Sequence, residues 1–278
     1  MPAVLSIQSQ VVWGSVGAQA ATFPLQRLGF DVWALPTTLL SAHAATPGMR
    51  GRRLPAAEIS ALGEGVRAHG GLAQVAAVLL GYLGSAEAAS VAFDLAEACA
   101  APALRFLDPV LGDDGPGLYL PEAVGEAYLA RGLKIAQVAA PNRFELGWLT
   151  GRDVATLEGC VAAAQALRAM GPATVFVTSA PASPGATGVL AVDGAGAWLA
   201  ETPLVPHRAA GAGDMCSALL LAHLLDGAAS AEAAARAAAS VGAVVAEAAR
   251  AGAAFLPIVA AQARWLSPER AAQLRRVG

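Results

Sequence analysis

Short apolar runs of strand length alternate with amphipathic stretches of helix length along nearly all of the 278 residues, and this alternation limits the fold more than any other feature. Ala3 to Ile7, Asp31 to Pro36, Val75 to Leu80, Ala103 to Leu107, Ile135 to Ala139 and Ala173 to Val177 read as strands. Helix-like stretches lie between them at Gly17 to Leu28, Pro55 to His69, Ser85 to Ala100, Pro121 to Ala130, Asn142 to Leu149 and Leu157 to Met170. Pro24 inside the first helix implies a kink or a late start. A strand that returns after a helix pairs in parallel and leaves the helix on a sheet face. The chain is therefore expected to be α/β, a mostly parallel central sheet with helices on both faces. Val189 to Val192 and Ala197 to Thr202 read as a hairpin, and helices at Ala212 to Leu225 and Ala231 to Ala251 complete the core. Residues 41–53 show no clear period and are expected to be a loop that could lie over a site. With no internal repeat and no linker, a single domain over residues 1–278 is expected.

Composition removes several classes of function. Hydrophobic residues make up 56% of the chain, but the excess is mainly alanine. The most apolar helix candidate, Ala231 to Ala254, carries Glu232, Arg236, Glu247 and Arg250, which a bilayer core would make costly, so no membrane span is expected. Met1 to Ile7 lacks the basic flank of a signal peptide, and a cytoplasmic location is expected. The net charge is −3, and basic residues cluster only as Arg52-Arg53 and Arg275-Arg276, which argues against nucleic acid as a partner. Cys99, Cys160 and Cys216 are far apart and fit free thiols, while His43, His69, His207 and His223 show no zinc-ligand spacing.

In an open α/β sheet, ligands bind beyond the carboxyl ends of the strands. The polar residues just after the expected strand ends are Gln8-Ser9, Gly81-Tyr82, Asp108, Asn142 to Glu145 and Thr178-Ser179. Together with Asp214 they are expected to face one crevice. The segment Gly211-Ala212-Gly213-Asp214 opens the Ala212 helix, where glycines let a ligand approach and free N–H groups make an anion site. Asp214 is placed to take a proton from an attacking hydroxyl while the adjacent amides hold charge on a transferring phosphoryl group.

Asp108, Asp113, Asp114 and Glu145 are loop carboxylates of the kind that hold Mg²⁺ on nucleotide phosphates, with Asp113 and Glu145 the preferred holders and Asp108 near the phosphates. Taken singly, each residue has a plainer reading. Asp108-Pro109 is also a turn, Glu145 a solvated first-turn residue, Asn142 an N-cap, and Thr178-Ser179 a pair that caps a strand. Ser9 could bind a polar substrate group or its own backbone. Tyr82 could stack on a flat ring or simply pack, and His43 could touch substrate through its loop. No Walker-type Gly-Lys-Ser/Thr loop is present, which excludes P-loop kinases.

Taken together, these segments resemble the pyridoxal kinase family of the ribokinase superfamily over nearly the whole chain. The resemblance rests on Ser6 to Ser9 followed by Ala20 to Gln26 and Leu28 to Phe30, on Asp108 to Asp113, on Ala140 to Glu145, and on Gly211 to Asp214 in that order. It implies a ribokinase-like three-layer sandwich and transfer of the γ-phosphoryl group of ATP to the 5′-hydroxymethyl of pyridoxal, and of pyridoxine and pyridoxamine. Asp214 would be the base, and Gly211, Ala212 and Gly213 the anion hole. Asp108, Asn142, Glu145, Thr178 and Ser179 would contact ATP, with Leu204 and Val205 beside the adenine. Mg²⁺ would sit on Asp113 and Glu145, and K⁺ near Ala140, Thr178 and Gly211. Ser9, His43, Ala44 and Tyr82 would bind the pyridine ring, and the assembly would be a homodimer.

Two segments depart from the family pattern. Gln10 stands where relatives carry histidine, and Ala42-His43-Ala44 where they carry Asn-His-Thr. One lost ligand hydrogen bond costs about 0.5–1.5 kcal/mol, enough to weaken vitamin binding several-fold. That departure keeps open a kinase for a related hydroxymethyl compound such as hydroxymethylpyrimidine, or for a small alcohol; a separate alternative, a weakly catalytic protein that binds pyridoxal phosphate for homeostasis, is opposed by the acidic set Asp108, Asp113, Glu145 and Asp214.

Overall fold

The computed structural model describes residues 1–278. Its first strand, β1, runs from Ala3 to Val11, and the helix α1, Ala18–Arg27, returns the chain to β2 at Asp31–Leu40. After β3, Gly51–Arg53, and α2, Ala56–Ala68, come β4 at Val75–Leu80, α3 at Ala86–Ala98 and β5 at Leu104–Leu107. A small hairpin of β6, Gly112–Asp113, and β7, Gly117–Leu118, precedes α4, Glu122–Ala127. A π-helical turn over Tyr128–Gly132 joins it to α5, Leu133–Ile135. Then follow β8 at Val138–Ala139, α6 at Arg143–Thr150, α7 at Leu157–Arg168 and β9 at Thr174–Ala180. β10, Ala186–Asp193, and β11, Gly196–Pro203, form the expected hairpin before α8, Ala212–Leu225, and α9, Ser230–Ala251. α10, Gln262–Leu266, and β12, Gln273–Arg276, end the chain.

Ten strands form one sheet in the order β12-β11-β10-β9-β8-β5-β4-β1-β2-β3. Its centre is parallel from β2 to β9, and the antiparallel neighbours are β3 at one edge and β10, β11 and β12 at the other. Alternate residues of a strand point to opposite faces, and each central strand feeds two separate cores. Leu5, Ile7, Val78, Leu80, Val175 and Val177 pack on the face covered by α2, α3 and α7. Val4, Ala77, Leu79 and Phe176 pack on the face covered by α1, α8 and α9. The expected α/β three-layer sandwich is therefore the observed architecture.

Five local expectations need correction. β1 does not stop at Ile7 but continues through Gln8-Ser9-Gln10, because β2 pairs with it as far as Val11 beside Leu40. The polar side chains do not break it: Gln8 Nε2 donates to Ser6 Oγ at 2.8 Å inside the sheet. β9 likewise runs past Val177 to Ala180, so Thr178 and Ser179 lie in the strand and not after it. Ile135 belongs to α5, and only Val138 and Ala139 form β8. A short apolar run fits a buried helix as well as a strand. Residues 41–53 are not all loop but contain β3, whose Arg53 pairs with Thr38 of β2. The C-terminal α10 and β12 were missed because residues 262–276 are too short and too polar to show a period.

The helix α1 starts at Ala18 and carries Pro24 inside it. Of the two readings of Pro24, the late start is therefore wrong.

Candidate active site

The candidate site is assembled from loops at the carboxyl ends of the strands and from the first turns of α1 and α8. Gly211 precedes α8 in the left-handed region at φ 98°, and a Cβ there would lie 1.6 Å from the Ser15 carbonyl oxygen. Only glycine permits that approach, which ties the β1–α1 loop to the α8 turn. Gly213 differs, since a Cβ added to it meets nothing within 4 Å. The open space at Gly213 is where an anion could approach the first amides of α8.

Asp214 sits in this first turn, partly exposed. Burial lifts its pKa to about 6, while the amides of Gly17 and of Asp214 itself pull the other way. Gly17 opens α1 and backs directly onto Ser9, whose carbonyl oxygen lies 2.4 Å from where a Gly17 Cβ would be. Ser9, 8% exposed, is thereby held beside the turn that faces Asp214.

Asp108 closes the gap on the sheet side. Its Oδ2 accepts from Ser217 Oγ at 2.8 Å, one helical turn along α8 from Asp214. Burial raises its pKa to about 7; the charge of Asp214 adds to this and the Ser217 hydroxyl opposes it. Ser217 was missed from sequence. The available signal was its spacing of three from Asp214, which puts both on one face of α8.

Glu145 is not a solvated first-turn residue. It is 3% exposed, and it reaches back to the Asn142 N–H at 2.8 Å while Asn142 Oδ1 accepts from the Glu145 N–H at 2.9 Å, a complete capping box. The other carboxylate oxygen accepts from Leu111 N–H at 2.9 Å and from Gly112 N–H at 3.4 Å. Burial and the Asp108 charge push its pKa well up against these three amides. Asn142 Nδ2 donates to the Gly112 carbonyl at 2.8 Å, so α6 and the β6–β7 hairpin are locked together. Asn142 also bridges in parallel to Thr178. Ser179 next to it is exposed with φ 56°, the one non-glycine residue of the chain with positive φ. Such backbone collects at functional sites because it costs about 1–3 kcal/mol and must be held by its surroundings.

Asp113 is exposed; its Oδ1 accepts from the Asp114 N–H, and Oδ2 is left free of the chain's own hydrogen bonds. Asp114 is paired with Arg143. No group of three His, Cys, Asp or Glu residues is arranged as a metal cage. This donor set fits a divalent ion that keeps most of its bonds for nucleotide phosphates and water. Asp113 has a free oxygen for it. Glu145, committed to three amides, has only the remaining lone pair of Oε2.

The residues expected around the substrate ring are less tightly joined to this centre. The Trp13 N–H donates to the Ser41 carbonyl, linking the β1–α1 loop to residues 41–50. In that segment His43 is half-buried, its Nδ1 accepts from the Ala45 N–H at 3.3 Å, and burial lowers its pKa, so the ring is neutral at pH 7. Ala42 is buried and Ala44 exposed. Tyr82 is partly buried against the core, and its carbonyl accepts from Thr37 Oγ1 at 2.6 Å. Leu204, 57% exposed, and Val205 lie on the loop after β11. Val205 helps to line a cavity of about 300 Å³ with Thr202, Pro203, Gly242 and Ala246. A larger cavity of about 500 Å³, lined by Leu28, Leu219, His223 and Trp265, lies at the other end of α8, away from the carboxylates.

The sequence model of the family described as Phosphomethylpyrimidine kinase matches residues 52–259. A pyridoxal kinase PdxY of Rubrobacter xylanophilus is 40% identical, with 99% of this chain and 97% of that protein covered. One from Granulibacter bethesdensis is 36% identical over 95% of this chain and 96% of its own. Among solved structures, the pyridoxal kinase from Leishmania donovani in complex with ADP and pyridoxine superposes with a TM-score of 0.90 at 32% identity, covering 99% of each chain. Matches over nearly the full length, on a fold that gathers these carboxylates at the mouth of one late helix, show that the chain belongs to the pyridoxal kinase family of the ribokinase-like superfamily.

Proposed function

We propose that this chain is an ATP-dependent kinase that phosphorylates the 5′-hydroxymethyl group of pyridoxal, and of pyridoxine and pyridoxamine, in vitamin B6 salvage, as a single domain over residues 1–278. The observation that carries the reading is Asp214 in the first turn of α8, with free helix N–H groups beside it and open space at Gly213. In this reaction the substrate hydroxyl oxygen attacks the γ-phosphorus. Its proton passes to the Asp214 carboxylate, the bond from the γ-phosphorus to the β,γ-bridging oxygen breaks, and ADP leaves with that electron pair. The amides at the start of α8, from Gly211 to Gly213, hold the charge on the transferred group. A carboxylate whose pKa stands near 6 is ionised at pH 7 yet basic enough to accept a proton.

Asp108, Asn142, Glu145, Thr178 and Ser179 surround the nucleotide phosphates, with Leu204 and Val205 against the adenine. A divalent ion, Mg²⁺ in this proposal, would sit at Asp113 with Glu145 behind it and neutralise phosphate charge when bound. K⁺ would be held near Ala140, Thr178 and Gly211. The site is proposed to take pyridine rings between Ser9, Tyr82 and the segment at His43 and Ala44. No helix is long and apolar enough to cross a membrane. A cytoplasmic homodimer is the accompanying proposal.

Purified protein given ATP, Mg²⁺ and pyridoxal is expected to release ADP and yield pyridoxal 5′-phosphate in equal amounts. Absence of pyridoxal-dependent ADP release would overturn the reading. One feature favours a second substrate class: Ala42 and Ala44 offer no side-chain donor to a pyridine substituent. Competition between pyridoxal and hydroxymethylpyrimidine separates the two, and a clear pyrimidine preference would replace the vitamin assignment. The family matched by residues 52–259 makes that control worth running.

A further inference from the structure

The carboxylates Asp108, Glu145 and Asp214 are held at the candidate site by very unequal means. Glu145 accepts from the N–H groups of Leu111, Gly112 and Asn142. Asp214 lies in the first turn of α8, where the Gly17 N–H and its own N–H favour its charge. Asp108 has a single donor. Its Oδ2 accepts from Ser217 Oγ at 2.8 Å, and Oδ1 accepts no hydrogen bond from the chain. The ionisable groups that face Asp108 are Asp214 and Cys216 on α8, Glu145 on α6 and Tyr128 on the π-helical turn, and none of them is a cation. Repulsion from Asp214 would turn the Asp108 carboxylate away from α8 if nothing held it there.

Ser217 is set apart from its neighbours on the helix. Every residue from Met215 to Ala222 is buried, and Ser217 carries the one hydroxyl among them. Alanine is the better helix former at such a position. A serine inside a helix can return its hydroxyl to the carbonyl four residues back, here that of Gly213. Ser217 instead donates to a residue 109 positions away in the chain, on the loop that follows β5. It stands three residues after Asp214, on the same side of α8, so one helical turn carries both the proposed base and the anchor of a second acid.

We propose that Ser217 is a positioning residue for phosphoryl transfer: it ties the Asp108 carboxylate to α8 through Oδ2 and so leaves Oδ1 to face the phosphate end of the site. This rests on the kinase reading above and adds to it that α8 sets the placement of two acids and not of one. Ser217 itself touches neither substrate nor nucleotide and acts through Asp108. A carboxylate misplaced beside the reacting atoms slows the chemical step while the groups that bind each substrate stay where they are.

The test is a cycle of Ser217→Ala, Asp108→Ala and the double variant, with Ser217→Thr as the conservative control. ADP release gives kcat and the KM values for ATP and pyridoxal, and thermal melts report folding. Ser217→Ala is expected to lower kcat about tenfold with both KM values within about threefold, and Ser217→Thr to recover most of the loss. Because Ser217 acts through Asp108, adding Ser217→Ala to Asp108→Ala is expected to lower kcat by less than about twofold more. Should Asp108→Ala not fold, Asp108→Asn takes its place in the cycle. A folded Ser217→Ala enzyme with kcat within about twofold of the unsubstituted protein, or a further loss of about tenfold in the double variant, would overturn the assignment. Failure of the vitamin reading shows separately, as no pyridoxal-dependent ADP release by the unsubstituted protein, and the cycle is then run on hydroxymethylpyrimidine. An unsubstituted protein that turns over neither compound would overturn both readings.

Discussion

Asp214 and Asp108 carry the sharpest consequences of single residues. Asp214→Ala is expected to lower kcat by roughly 10²- to 10⁴-fold, the usual contribution of a general base, while ATP still binds. Turnover within tenfold of the unsubstituted protein, measured by ADP release, would remove Asp214 from that role. The pH profile gives a second check. Because the base must be ionised and its pKa stands at about 6, kcat/KM is expected to fall as pH drops through about 6, about two pH units above an ordinary aspartate. The stability sign is the reverse. Both carboxylates have folded pKa values above their ordinary 3.8, so their ionised forms oppose folding. Their contribution is most favourable below about pH 4 and is lost as pH rises through 6 to 7. Asp108→Asn, which keeps an acceptor for Ser217, is accordingly expected to stabilise the protein by about 1–3 kcal/mol at pH 8 while lowering activity. A denaturant midpoint at pH 8 that is unchanged or lower would contradict this.

At the scale of elements, the turn into α8 separates two glycines that look alike in sequence. Gly211→Ala forces a Cβ to within 1.6 Å of the Ser15 carbonyl at positive φ, and is expected to destabilise the fold by about 2 kcal/mol or more. Gly213→Ala meets nothing, so the fold is expected to be retained or gain up to about 1 kcal/mol from helix propensity, while phosphoryl transfer falls because the methyl enters the anion space. Thermal melts of both variants beside their kcat values check the pair, and a Gly213→Ala enzyme of full activity would sink the anion-hole assignment.

Element boundaries show where sequence pattern stops carrying information. β4 was legible from Val75 to Leu80 to the residue, since a buried parallel strand is apolar along its whole length. β1 and β9 were each read short. Their carboxyl ends lie at the candidate site, where polar residues such as Gln8, Ser9 and Thr178 keep extended backbone because neighbouring strands pair with them, while Ser179 is skipped by the pairing with β10 and turns to φ 56°.

For the whole molecule, the C-terminal segment decides how the α9 face is closed. Trp265 on α10 is 1% exposed; its Nε1 donates to the Ile258 carbonyl at 2.8 Å, and its own carbonyl accepts from Ser240 at 2.7 Å. Trp265→Ala is expected to cost about 3–5 kcal/mol, read as a lower denaturant midpoint; an unchanged midpoint would contradict this. Residues 262–276 are short and mixed in polarity, so nothing in their own sequence announced this role. The sequence by itself determined the alternating architecture, the two-sided burial of the central strands and the identity of the acidic and glycine residues, because periodicity and residue chemistry are local properties. Only the tertiary structure decided that Ser217 holds Asp108, that Glu145 is buried in a ring of amides, and that Gly211 is pressed against Ser15. Those facts depend on segments distant in the chain meeting across a sheet, which no local pattern encodes.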